Sequence, residues 1–497
     1  MRADYIGCVA SPVRALFRLL LVLVCWAATI PGGLAQHESL GALRFTLDSL
    51  PQQEIWAGLT LGGEKIGYSH TTVRQRTDGR YDILTESVLL LRMLGFESLM
   101  EARTRDIVRA DLTLDRFEAE FLMNGNRLKV EGRASTTSLA LTLGNAGNRI
   151  DRNLEYSGSL YPASVVGFYA PVYGIEPGRA VRFAVFNPQS LQIGPVEQHV
   201  KANDPADRFA GLAYEISTRM EGQDSILWLD RNGRFLLEEA MNGSMAAIPE
   251  SEPGAKAYLS AARLNSRDLV AGLSLVRTDR TLDHPDRIGR MELELTGVDL
   301  PLASGPGQRC KAHDGVWHCE LASGLFEPFD GDVAGSMASS LTVTASDARI
   351  IRLAKQITVD ARSDEQKLRA ILRWLEANIR QEAADGFSAL DVLSSRRAEC
   401  QGHTYLYSAL ARSSGVPTRV ANGLVYSADH GGFLYHTWAE SLVDGQWRAV
   451  DPTFGQLIAD ATHVKIIEGE EYADVAPIVN LIGKVGAKIR SYEYRRE

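Results

Sequence analysis

Basic residues never gather into a run in this chain: 53 lysines and arginines are spread among 62 aspartates and glutamates, for a net charge of −9. A nucleic-acid-binding protein is therefore not expected. No C-x-x-C pair and no two histidines on one helical or strand face near carboxylates offer a metal site. No glycine-rich phosphate loop follows a strand, so neither a metal nor an organic cofactor is expected. Long internal repeats and low-complexity tracts are missing. After residue 30 no apolar stretch is long enough to cross a bilayer; "APIVNLIG" near the end is short and flanked by charge. What is present is an ordinary globular composition, 45% hydrophobic and 23% charged over 497 residues. That is material for roughly two to four domains.

Arg2, Arg14 and Arg18 precede a short apolar run, Leu19 to Ile30, which Pro31, Gly32 and Gly33 break. The run is too short for a comfortable membrane span and right for the apolar part of a signal peptide. Ala35 ends a small-residue "GLA" cleavage site, so residues 1–35 are read as a signal peptide and the protein as periplasmic or secreted. An uncleaved N-terminal anchor is the alternative. Val24 before Cys25 is too large for a lipoprotein signal.

Cysteine is scarce, and its five positions are Cys8, Cys25, Cys310, Cys319 and Cys400. Cleavage would remove the first two. Cys310 and Cys319 bracket "KAHDGVWH", with a turn-like Asp-Gly, and are expected to pair in an oxidising compartment. Cys400 is left over. An odd thiol in an exported protein is a link to another chain, a reactive group, or a buried and inert core residue.

From about residue 40 to 245 the hydrophobic pattern has period two. "FEAEFLMNGNRLKVEG" puts Phe117, Ala119 and Phe121 on one face, turns at Asn124-Gly125 and resumes with Leu128 and Val130. "SILWLDRNGRFLLEEAM" repeats the device at Asn232-Gly233, and "IWAGLTLGGEKIGYSHTTV" reads as a further hairpin. This half is expected to be a β-rich sandwich or curved sheet. Residues 243–262 carry Pro, Gly and Ser and read as a linker; 263–345 reads as a smaller β region. In "SDEQKLRAILRWLEANIR", Ser363 and Gln366 have capping-box spacing. Leu368, Ile371, Leu372, Leu375 and Ile379 form one helical face. Residues 346–497 are thus expected to be an α+β domain, and the whole chain α+β.

"ECQGHTYLYSALARSSGVPTR" places Leu406, Ala409, Leu410 and Ser413 at helical spacing, with Gly415 and Pro417 as a stop. Cys400 therefore sits at a helix N-terminus, where partial positive charge favours thiolate over thiol. A thiolate needs a base, and the base an orienting group. Both candidates lie in "FLYHTWAESLVDGQWRAVDPTFG". A two-residue turn at Asp444-Gly445 would set Val443 opposite Gln446, His436 opposite Thr453 and Asp451 opposite Trp438. His436 and Asp451 then become diagonal neighbours on one face; a one-residue bulge would break that parity. Taken singly, a cysteine is usually core, a strand histidine a surface or satisfied core residue, and an Asp before Pro a turn. Together they point to nucleophilic chemistry.

"AECQGHTYLYSALARSSGVPTRV", "YHTWAESLVDGQWRAVDPTFGQ" and "ADATHVKI" resemble the core of bacterial exported transglutaminase-like proteins, in three blocks in the right order over about residues 345–470. The resemblance implies a papain-like C-terminal domain following the N-terminal β-rich domain. It also implies roles: Cys400 attacks a carboxamide and forms a thioester, His436 holds the thiolate and protonates the leaving amine, and Asp451 fixes the His436 tautomer. The backbone N–H of Cys400 is the natural oxyanion donor. Trp438 and Trp447 are read as packing the hairpin. His403 is read as structural or substrate-contacting, His463 as structural or at the rim, and Arg419 and Tyr426 as supporting. The expected function is cysteine-dependent acyl transfer or amide hydrolysis on a peptide or protein substrate, with possible cell-envelope association. The alternative is a non-catalytic envelope binding or assembly protein built on the same scaffold.

Overall fold

The computed structural model describes residues 41–495 apart from 94–95, 124–125, 146–147, 204–207, 210, 212, 258–274, 303, 330–332 and 383–387. Residues 1–35, read as a signal peptide, and Asn124-Gly125, read as a hairpin turn, lie outside the described residues. Strands make up 48% and helices 19% of the structure, so the chain is strand-rich. It divides into two compact units, one running to Leu269 and one from Val270 to Glu497.

The first unit is built on one sheet of fifteen strands. Eight of them, β1 to β8, follow one another over residues 54–155, and seven more, β9 to β15, over 160–249. The two meanders join through their outer members, with Leu59 opposite Ala247. Met245–Pro249 is therefore a strand inside the sheet, which corrects the linker reading over its first part; residues 258–262 of that stretch lie outside the described residues. The inner face is chosen by alternation: Ile55, Ala57, Leu59 and Leu61 are all buried. The sheet curls on itself, because Phe117 and Phe186, from the two meanders, meet at 4.8 Å. Its interior also holds two acids. Burial pushes the carboxyl of Asp106 up to about 7 and that of Glu238 up to about 8.

In the second unit, β16 (Val276–Arg277) and β20 (Glu327–Pro328) pair with strands from beyond residue 430. β17 (Ile288–Thr296), β18 (Gln308–His313) and β19 (Val316–Ala322) form a sheet completed by β27 (Gly486–Tyr494). The boundary read at 345 thus does not separate two compact bodies. Cys310 and Cys319 face each other across β18 and β19 and form a disulfide. The short β21 (Arg380–Gln381) and β22 (Arg397–Ala398) pair in parallel.

The main sheet of this unit comprises β23 (Thr418–Ser427), β24 (Gly432–Val443), β25 (Gln446–Val450) and β26 (Val464–Glu468), with β20 at one edge. The helices α1 (Ala348–Ile357), α2 (Asp364–Asn378), α3 (Ala389–Ser395) and α4 (Cys400–Ser413) accompany it. Ser363 caps α2, and Leu368, Ile371, Leu372 and Leu375 enter a core with Leu406, Ala409 and Leu410 of α4. Every residue of α4 from Cys400 to Arg412 is buried, whereas the sequence pattern marks only one apolar face. The helix lies between the sheet and the other helices, so its polar side chains need partners. Thr404 donates to the Thr437 carbonyl at 3.0 Å, Tyr407 shares a hydrogen bond with Ser441, and Arg412 donates to the Thr418 carbonyl and pairs with Glu470.

Candidate active site

Cys400 is the first residue of α4, and Glu399, the N-cap, makes no side-chain capping bond. No acidic residue lies in the first turn, but the N-cap residue Glu399 is itself an acid at the positive end of the helix dipole. Gly402 lets this turn sit close to its neighbours: a Cβ there would stand 2.9 Å from both Ala398 Cβ and Val392 Cγ2. The thiol of Cys400 is buried and outside any disulfide. Its sulfur donates to Glu399 Oε2 at 3.5 Å. That carboxylate opposes ionisation of the sulfur, and the sequence pattern does not reveal it.

Asp444 and Gly445 have φ of 52° and 73°, the paired left-handed geometry of a two-residue hairpin turn. Val443 stands opposite Gln446, and the ladder runs without a bulge to Ala439 opposite Val450. The parity argument therefore holds to the last paired residue. One position on, His436 Nε2 donates to Asp451 Oδ2 at 2.7 Å, with both side chains fully buried. Asp451 Oδ1 accepts from the amides of Thr453 and Phe454 at 2.7 and 3.2 Å. His436 Nδ1 is buried and has no hydrogen-bond partner, and the Cys400 sulfur is among the groups that act on the ring. Burial works against charge on His436, but the Asp451 carboxylate and then the Cys400 sulfur outweigh it and hold the imidazolium up to about 10. Burial likewise opposes ionisation of Asp451, and the two histidines beside it bring its carboxyl below the usual range.

The ring of His436 lies parallel to Phe454 at 5.1 Å and to Trp438 at 6.1 Å, so aromatic walls fix its plane. His463, read as structural or rim, is buried, and its Nε2 donates to the same Asp451 Oδ2 at 2.9 Å. Its Nδ1 faces the carbonyl and Oδ1 of Asp460 at 3.2 and 3.3 Å. Gln456 closes the intervening loop through mutual backbone bonds with Asp451 and a side-chain bond to Asp460. His403 accompanies α4 as a tie: Nδ1 meets the Glu399 carbonyl at 3.0 Å, and burial lowers its pKa. Arg419 stacks over Trp447 and pairs with buried Glu440, and Tyr426 donates no catalytic group but accepts from the Leu282 amide.

His436, Asp451 and His463 offer ligand atoms within 4.8 Å of one another. Two ligands of one tetrahedral zinc, each about 2.0–2.2 Å from the ion, stand about 3.3 Å or more apart. The contacts of 2.7 and 2.9 Å are hydrogen bonds, and the cluster as arranged does not fit a tetrahedral zinc.

A profile of the transglutaminase-like superfamily matches residues 351–452, which contain Cys400, His436 and Asp451. Kyphoscoliosis peptidase of Mus musculus is 29% identical over 156 residues, covering 28% of this chain and 22% of that protein. Its Homo sapiens counterpart is 26% identical over 123 residues, covering 22% and 18%. The chain thus spans about a fifth of the length of these relatives. Among solved structures, a candidate cysteine protease from Cytophaga hutchinsonii is 16% identical at a TM-score of 0.30, covering 42% of this chain and 86% of its own. A β-barrel-like protein of unknown function from Brucella abortus is 13% identical at 0.30, covering 40% and 95%.

Proposed function

Residues 351–452 are a transglutaminase-like superfamily domain, and from that premise we propose that the chain is an exported thiol enzyme acting on carboxamide or peptide bonds. The observation that carries the reading is the fully buried His436–Asp451 pair at 2.7 Å, beside a cysteine that opens a helix. The Cys400 thiolate attacks the carbonyl carbon, and the first-turn amides of α4 face the developing oxyanion. As the C–N bond breaks, the His436 imidazolium gives its proton to the departing amine, leaving a thioester on Cys400. Water or a second amine, deprotonated by His436, then attacks the thioester and releases the thiol. Asp451 holds the His436 tautomer throughout. A peptide or protein is the proposed substrate class, in keeping with the relatives named as peptidases. Export is supported by the basic-then-apolar start of the sequence and the Cys310–Cys319 disulfide.

The competing reading is a non-catalytic envelope protein. One observation favours it: the sulfur is fully buried with a carboxylate 3.5 Å away. The test is to incubate the protein with a peptide library and map Cys400 by mass spectrometry after acid quench. The enzyme reading expects an acyl group on Cys400 that hydroxylamine removes and that Cys400→Ala lacks. An unmodified Cys400 across the library, in protein that still folds, supports the scaffold instead.

A further inference from the structure

His463 is not part of the nucleophile–base–orienter set, yet the structure gives it a defined protonation state. Its Nε2 meets Asp451 Oδ2 at 2.9 Å, and its Nδ1 meets the carbonyl and Oδ1 of Asp460 at 3.2 and 3.3 Å. All of these are acceptors. A neutral imidazole carries one N–H and one lone pair, so it would set a lone pair against an oxygen lone pair. The proton cannot sit on Asp451 instead, because Oδ2 already accepts from His436 and Oδ1 from two amides. Asp460 is equally committed: Oδ1 accepts from the amide and hydroxyl of Thr462 at 2.8 and 2.6 Å, and Oδ2 from Gln456 at 2.8 Å. Both ring nitrogens of His463 therefore carry protons.

We propose that His463 is a positioning residue that works as an imidazolium, tethering the Asp451 carboxylate and offsetting its charge so that His436 can release its proton. The proposal rests on the acyl-transfer reading of Cys400. Beside His463 stand His436 on β24 and Asp451 and Asp460 on the closing loop; at the start of α4, Cys400 acts on His436, His403 on Asp451 and His436, and Glu399 lies beside the sulfur. Burial keeps His403 toward its neutral form. With the Cys400–His436 pair counted as neutral, the two aspartates that touch His463 bring two negative charges, which His463 reduces to one; the Glu399 carboxylate beside the sulfur adds to the negative side. The excess negative charge would strengthen the hold on the His436 proton that the leaving amine needs. Burial opposes charge on His463 itself, but Asp460 and then Asp451 raise its pKa to about 9. The His463 ring centre is 5.7 Å from that of His436. At an effective dielectric of about 20, a unit charge at that separation moves a titration by about two pH units.

Two measurements test this. In the intact wild-type protein, ¹⁵N NMR of ring-labelled histidines should show both nitrogens of His463 protonated at pH 7. A neutral tautomer at that pH overturns the proposal. In His463→Gln, the amide keeps a neutral donor while the charge is lost. The inflections of the Cys400 alkylation profile should then move upward by about one to two pH units. A profile that stays in place while thermal stability falls means His463 only packs the loop, and also overturns it. If the variant does not fold, the wild-type spectrum still decides. A Cys400 that resists alkylation up to alkaline pH in wild type would remove the acyl-transfer reading while leaving the His463 spectrum as found.

Discussion

Asp451 receives four hydrogen bonds, two from histidines and two from backbone amides. Its position is therefore over-determined, and replacing one oxygen with an amide nitrogen should leave the loop intact. The chemistry is a different matter. An asparagine presents either an oxygen to both histidines without the charge, with its NH₂ then facing the Thr453 and Phe454 amides, or an N–H that clashes with the histidine donors. Asp451→Asn should cut turnover by about 10²–10⁴, with circular dichroism near that of wild type and a lower melting temperature at neutral pH, because two buried histidines lose their counter-charge. An activity within a few-fold of wild type would reduce Asp451 to a turn residue before Pro452.

On the scale of elements, the close seating of α4 is the most exacting feature. Gly402→Ala improves intrinsic helix propensity by about 0.8–1.0 kcal/mol. The new Cβ, however, would lie 2.9 Å from two carbons of buried neighbours, and such overpacking costs about 1–3 kcal/mol. The steric cost wins, so the variant should melt below wild type; a melting temperature at or above wild type would mean that α3 and β22 yield without strain. The β24–β25 hairpin was legible in the sequence because Asp444-Gly445 sets the register and side-chain parity follows from it. The loop from Asp451 to His463 was not. Its shape depends on Gln456 bonding backward to Asp451 and forward to Asp460, contacts with no periodicity to read. The same holds for Met245–Pro249, whose Pro and nearby Gly suggested a linker although pairing with β1 makes it a strand. Glu399 was legible as a residue but not as a carboxylate turned toward the sulfur.

Across the whole molecule, pH acts on each unit through different groups. Asp106 and Glu238 have raised pKa values in the folded state, about 7 and about 8. Their contribution to stability is fully present below the unfolded carboxyl range and is lost as pH rises through those values. Asp106→Asn and Glu238→Gln should therefore raise the melting temperature at pH 8.5 and change it little at pH 4. Stabilisation that is equal at both values would assign the effect to packing. In the second unit His436 and His463 are also raised, to about 10 and about 9. Their contribution is complete below about 6.5 and erodes as pH climbs through those values.

The central claim is that Cys400 is held as a thiolate by His436 and the start of α4. Because the sulfur is fully buried, reagent must wait for an opening, which scales the labelling rate without displacing its pH inflection. The direct measurement is the rate of Cys400 carbamidomethylation by iodoacetamide from pH 4 to 10, followed by peptide mass spectrometry. The account predicts an inflection well below the ordinary thiol value of about 8.5, lost in His436→Ala. An inflection at or above that value in wild type, indifferent to the loss of His436, would contradict it.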